Sequence, residues 1–224
     1  LIFLPTKLLL TLGILIVAGH NVMDGLSMTE DSPFYLVWAV LYQREVIDFN
    51  FFMIRTSYPI LPWVGVIALG FVAGPWFSSD TSPDKRQKKM LTVGAIGLFS
   101  FVIIRFLNIY GDAPWINTSE FSTTLMSFLS LTKYPSSFLF NLSMLSLGLV
   151  FLCLFEKYGS HKFARVFSQF GAAPLFFYAL HLAVLKLIYV IAFAIYGPSD
   201  GIYLAFPSVG YIWGAFVGLV FALY

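Results

Sequence analysis

The sequence predicts an all-α, polytopic transmembrane helix bundle with about six spans. Three observations carry that prediction. Of 224 residues, 59% are hydrophobic and 11% charged, and the mean hydropathy is +0.85. So few charges cannot cover the surface of a soluble domain. Apolar runs recur along the whole chain, at lengths near the roughly 17–25 residues that cross a bilayer core. The stretch 55–74, RTSYPILPWVGVIALGFVAG, has the order of a helix entering lipid from water: a cation and aromatics, two prolines, then apolar sequence rich in glycine. Pro62 suits a first helical turn, where its missing N–H costs nothing. Tyr58 and Trp63 are interface anchors. Gly65, Gly70 and Gly74 leave room for a neighbouring helix to approach.

Six runs follow in order, at residues 6–26, 60–77, 90–107, 136–155, 174–196 and 208–224. Two shorter apolar stretches, 34–42 and 123–131, are too short to span and read as interfacial helices or re-entrant turns. The loop 78–89 carries Lys85, Arg86, Lys88 and Lys89, and the loop 157–166 carries Lys157, Lys162 and Arg165. With alternating spans both fall on one side, together with Lys7. The positive-inside rule makes that side the cytoplasm, so 27–58, 108–135 and 197–207 face outward. Gly210, Gly214 and Gly218 form a small-residue ridge for helix packing or for oligomerisation. The chain reads as a single integral-membrane domain, cut from a longer protein at both ends. It starts on Leu1 rather than methionine, and its last run stops without polar flanks.

Several function classes are excluded by composition. A net charge of +2 without a basic stripe argues against nucleic acid. The single cysteine, Cys153, lies in an apolar run, so there is no disulfide framework or thiolate metal site. Three histidines on separate segments lack metal-ligand spacing. Neither a Gly-rich phosphate loop nor a Gly-x-Ser-x-Gly elbow is present. Asn117-Thr118-Ser119 fits a glycosylation acceptor, a triplet common by chance.

Ionisable residues within a membrane are costly and need an account. Most collect at one level. His20, Asn21 and Asp24 end the first run, with His20 and Asp24 on one face. Arg55 and Tyr58 precede the second run. Arg105, Asn108, Tyr110 and Asp112 end the third, and Lys133 and Tyr134 precede the fourth. His20, Asp24, Arg55, Arg105 and Lys133 are expected to line one outward-opening cavity. Arg55, Lys133 and Asp112 also suit headgroup anchoring, Tyr110 and Tyr134 an aromatic belt, and His20 a helix cap. In the fifth run Tyr178, His181, Lys186 and Tyr189 fall within an arc of about 140° at 100° per residue. His181 lies near the midplane, in a cavity or in a satisfied core hydrogen bond, and is expected to face the bundle interior.

Several stretches resemble a bacterial membrane-protein family grouped with the heparan-alpha-glucosaminide N-acetyltransferase catalytic domain. They are GHNVMDG (19–25), YPILPWVGVIALGFVAG (58–74), RFLNIYGD (105–112), FLSLTKYPSSFLFNLSMLSLG (128–148) and FGAAPLFFYALHL (170–182). The resemblance covers nearly the whole chain in the same order. It implies a multi-helix acyltransferase that takes an acetyl group from cytosolic acetyl-CoA and places it on a glucosamine-type acceptor across the membrane. It also implies that the family's acetyl-transfer histidine lies on a helix preceding this sequence, so that role is not carried over to His20 or His181. The chain departs from the family at Ser136 (commonly proline), at Ala172 (often basic) and at Lys186 (often a second histidine).

Acyl transfer to an amine or hydroxyl needs a general base with a pKa near working pH, and histidine is the usual choice. His181 and His20 are the catalytic candidates. Asp24, Arg55, Tyr58, Arg105, Asn108, Asp112, Lys133 and Tyr134 are the substrate-binding candidates. Arg105, Lys133 or Tyr134 are the expected oxyanion donors. The pyrophosphate of acetyl-CoA, the expected co-substrate, suits the cations Lys85 to Lys89 or Arg165; no metal is expected. The competing class is a transporter, or a glycan- or lipid-handling scaffold without catalysis, which uses intramembrane ionisable residues equally well.

Overall fold

The computed structural model describes residues 3–49, 51–56 and 58–196. The sixth apolar run, with Gly210, Gly214 and Gly218, lies outside them. The described residues form two compact units, Leu1–Lys157 and the part of Tyr158–Tyr224 up to Tyr196.

The fold is 66% helical. In the first unit α1 (Thr6–Gly19) tightens into a 3-10 turn at His20–Met23. The short α2 (Tyr35–Leu41) follows, then β1 (Val46–Asp48) and β2 (Met53–Arg55). Next come α3 (Leu61–Ala73), α4 (Pro83–Leu107), α5 (Phe121–Leu129) and α6 (Phe138–Lys157). The second unit holds α7 (Lys162–Ala172) and α8 (Pro174–Tyr196). Among the described residues four helices are long and apolar enough to cross a membrane: Thr6–Met23, α4, α6 and Pro174–Ile191 of α8. Ile96, Phe99 and Phe106 of α4 are exposed, as side chains facing lipid would be.

Three expectations are corrected among the described residues. Of the five expected spans that fall on described residues, four are long enough, and the second run is instead a shorter apolar helix, Leu61–Phe77. Its last turn is 3-10, since Pro75 lacks the N–H that would extend α3. The fold is not purely helical. Val46, Ile47 and Ile54, β-branched and close to one another, pair antiparallel with Ile47 opposite Ile54. Ile47 packs with Tyr35, Ala39 and Met28 in a small core between α2 and the ribbon. The basic loop is largely helical, because Pro83 begins α4 and Asp84 favours its positive end. The short apolar stretches became α2 and α5, as expected.

Two glycine contacts set the packing of the first unit. α1 lies on α3, where a Cβ at Gly13 would meet Leu69 at 2.9 Å and one at Gly65 would meet Val17 at 2.8 Å. α4 lies on α6, where a Cβ at Gly97 would meet Ser146 Oγ at 2.0 Å. Gly70 and Gly74 have nothing within 4 Å, so they are not contact points among the described residues. At one end of this pair Arg86 and Glu156 close an ion pair, Nε to Oε2 2.9 Å. The polar loops lie at the other end, since Arg86 and Arg105 are separated by about 28 Å of helical rise.

Candidate functional site

The motifs at the end remote from Arg86 fold into one hydrogen-bonded frame. Arg105 is only 2% exposed. Its Nε donates to Phe128 O at 2.9 Å, Nη1 to Ala113 O at 2.8 Å, and Nη2 to the carbonyls of Ser127 and Ser130, both at 3.0 Å. Three of those acceptors are orphan carbonyls at the end of α5, so Arg105 caps α5 from a neighbouring helix. Asn108 ends α4 in the left-handed region, φ 56°, a conformation asparagine tolerates. Its side chain brackets Trp115, accepting from Trp115 N at 2.9 Å and donating to Trp115 O at 3.0 Å. Gly111 has φ +93°, and a Cβ there would strike Phe138 at 2.9 Å.

Asp112 staples the 132–137 turn. It accepts from Ala113 N at 2.7 Å, Thr132 Oγ1 at 2.7 Å, Thr132 N at 3.0 Å and Ser137 Oγ at 2.6 Å. The Ser137 hydroxyl accepts from Phe140 N at 3.0 Å, an N-cap for α6. Asn21 Oδ1 takes the N–H of Phe138 at 2.7 Å. His20 is 2% exposed. Its Nε2 lies 2.8 Å from Ser136 O, and its Nδ1 3.0 Å from the carbonyl oxygens of Ile16 and Val17. Tyr110 adds a second tie, donating to Ala18 O at 2.5 Å. The stretches GHNVMDG, RFLNIYGD and TKYPSS are thus the parts of one clamp joining α1, α4 and α6.

Above this frame opens a cleft of about 550 Å³. Asn21, Asp24, Tyr42, Gln43, Arg44 and Thr132 are among the polar side chains on its wall. Asp24 accepts from Asn21 Nδ2 at 2.8 Å and from the Tyr42 hydroxyl in a short bond. Burial, and next the bond to Asp24, hold the Tyr42 phenol well above the usual range. Burial and then the charge of Asp24 raise the Tyr110 phenol. The Tyr134 phenol moves the other way. Its hydroxyl lies 3.2 Å from that of Tyr58, and the hydrogen bonds with Tyr58 and then Lys133 lower it.

The five residues expected to line one cavity are not gathered around this cleft. Of His20, Asp24, Arg55, Arg105 and Lys133, only Asp24 is on its wall. His20 and Arg105 are in the frame beneath, with their nitrogens already facing carbonyls. His20 therefore presents neither nitrogen to a substrate, and the four bonds of Arg105 occupy it as a cap rather than an oxyanion donor. Arg55 is exposed on β2, opposite Val46. Asn108 is bound to Trp115, and Asp112 lines the cleft with its oxygens in use. Tyr58, Tyr134 and Lys133 sit together, rings 5.0 Å apart and Lys133 Nζ 5.3 Å from the Tyr134 ring centre. Sequence reading missed Tyr42, Gln43, Arg44, Thr132 and Ser137. The signal available for Tyr42 to Arg44 was a polar step directly after the short apolar stretch.

In the second unit His181 is half-buried. Its Nδ1 lies 3.2 Å from Phe177 O, and its ring is 5.1 Å from that of Tyr178. Lys186 Nζ lies 4.9 Å from the Tyr189 ring centre. Among the described residues no three His, Cys, Asp or Glu side chains group closely enough to hold a metal ion.

Fold and cleft together define a helical protein with membrane-crossing segments and a polar cleft at one end of its first unit. No family model, no curated protein and no solved structure matches the chain.

Proposed function

We propose that this is an integral protein of a bacterial cytoplasmic membrane, with about six spans and the 78–89 and 157–166 segments in the cytoplasm. In this reading it belongs to a membrane acyltransferase. The cleft, on the outer face, seats a sugar or glycan acceptor that receives an acetyl group from acetyl-CoA. The observation that supports this is the cleft wall. Asn21, Asp24, Tyr42, Gln43, Arg44 and Thr132 mix donors and acceptors around a volume suited to one or two sugar rings. In this reading the Asp24 carboxylate, which already accepts from Asn21 and Tyr42, takes a glucosamine-type amine as a further donor. The acceptor nitrogen attacks the thioester carbonyl, the C–N bond forms, the C–S bond breaks and CoA leaves as thiolate. A base takes the proton from nitrogen, and histidine is the usual choice.

One observation favours the second reading, a glycan- or lipid-handling protein without catalysis. The histidine and the second aspartate nearest the cleft, His20 and Asp112, have their bonding positions occupied. Acetyl transfer from acetyl-CoA to glucosamine by full-length protein in nanodiscs separates the two. Asp24→Asn is expected to lower kcat/KM at least about tenfold, one bond's worth of transition-state binding. His181, a catalytic candidate from the sequence, is tested separately: His181→Ala is expected to reduce turnover while leaving the protein folded, with little rescue by His181→Gln for a role in proton transfer. Full activity in both single variants would discard the catalytic reading of these residues.

A further inference from the structure

Arg44 and Lys133 are two cations that approach a single aromatic ring. The Arg44 guanidinium carbon lies 5.7 Å, and Lys133 Nζ 5.3 Å, from the centre of Tyr134. Both side chains are exposed, and among the described residues neither has a carboxylate within ion-pair distance. The nearby acids are engaged elsewhere: Asp24 by Tyr42 and Asn21, Asp112 by four donors, and Glu45 by the side chain of Gln43. Two like charges held around one ring without a counter-ion repel, and an anion between them would reverse the sign of that term. Two hydroxyls, Tyr58 and Tyr134, stand beside the cations. Arg44 also lines the cleft, so the cluster stands at its mouth.

We propose that Arg44, Lys133, Tyr58 and Tyr134 form an anion subsite at the cleft mouth that takes a phosphate ester. This rests on reading the cleft as the acceptor site, and it adds that the acceptor carries phosphate. A guanidinium forks onto two oxygens, and the lysine ammonium supplies further donors. A tetrahedral phosphate has enough oxygens for all of them, whereas a carboxylate has two. Two sources present that group. One is a phosphorylated sugar arriving from water. The other is the headgroup of an anionic phospholipid, which the interfacial position of Tyr58, just before the apolar α3, also suits.

The test is direct binding, so it does not depend on turnover. Full-length protein is placed in phosphatidylcholine nanodiscs and titrated with glucose 1-phosphate, with glucose and with inorganic phosphate. Glucose 1-phosphate is expected to bind at least about tenfold more tightly than glucose, and Arg44→Gln/Lys133→Gln to remove that advantage. Both side chains are exposed, so the double variant is expected to fold; Arg44→Lys is expected to retain part of the advantage as a charge-preserving control. Repeating the titration in phosphatidylglycerol nanodiscs distinguishes the sources. Unchanged affinity assigns the subsite to the soluble ester, and loss of affinity in wild type assigns it to the lipid phosphate. Equal binding of glucose and glucose 1-phosphate in phosphatidylcholine, or an advantage that survives in the double variant, would overturn the subsite. Failure of acetyl transfer with an intact phosphate advantage would overturn the acyltransferase reading and leave the subsite standing.

Discussion

At the scale of single residues, the polar side chains divide into those consumed by the frame and those that remain for a ligand. Arg105 belongs to the first group. Four part-buried carbonyls depend on it, so Arg105→Met should destabilise the protein by about 1–3 kcal/mol, as acceptors of a charged donor are orphaned. Arg105→Lys should rescue little, because an ammonium cannot fork across that set. Denaturant or thermal unfolding in detergent measures both. Tyr134 belongs to the second group. Its phenol is held low by Tyr58 and Lys133, so its phenolate absorbance should appear below the usual value of about 10. Lys133→Gln should move that transition upward. The sign for stability follows from the depressed folded value. The contribution is fully present above the unfolded pKa, and it is lost as pH falls through the folded one. A Tyr134 titration indistinguishable from exposed tyrosine would mean that the Tyr58 and Lys133 hydrogen bonds to it are not made.

At the scale of elements, the two helix pairs rest on a few positions without side chains. Gly97→Ala places a Cβ 2.0 Å from Ser146 Oγ, and overpacking of this kind costs about 1–3 kcal/mol. Ser146→Gly in the same molecule removes the clashing atoms and should recover most of the loss. Gly70→Ala meets nothing within 4 Å and should be neutral or slightly stabilising, because alanine loses less backbone entropy in a helix. Comparing unfolding midpoints of these three variants checks the packing. Equal effects at Gly70 and Gly97 would mean that α4 and α6 are not in that contact. Here the sequence was only partly legible. The glycine pattern in 55–74 pointed to close packing, yet of Gly65, Gly70 and Gly74 only Gly65 is in it. Helical spacing identifies a face, and which part of that face meets a neighbour depends on where the second helix crosses.

For the whole molecule, the arrangement of the first unit puts the Arg86–Glu156 pair and the cleft at opposite ends of α4 and α6. Single cysteines introduced at Ser79 and Ser119, both exposed, should therefore label from opposite sides of the membrane. Labelling of both from one side would reject the proposed topology. The sequence by itself determined the class: apolar runs of spanning length force helices, because lipid leaves no other partner for backbone N–H and C=O groups. It also determined the level at which polar residues collect, since each ends or begins an apolar run. Only the tertiary structure decided what those residues do. Arg105, His20 and Asp112 look like site residues in one dimension, because charge within an apolar context is the only signal a sequence carries. In three dimensions they meet carbonyls and hydroxyls from segments 20 to more than 100 residues away, and those bonds consume them. Asp24, Tyr42 and Arg44 line the cleft instead because α2 and the β-ribbon return the chain over the end of α1. That return is set by the packing of Tyr35, Ala39 and Ile47, a tertiary contact that no local pattern announces.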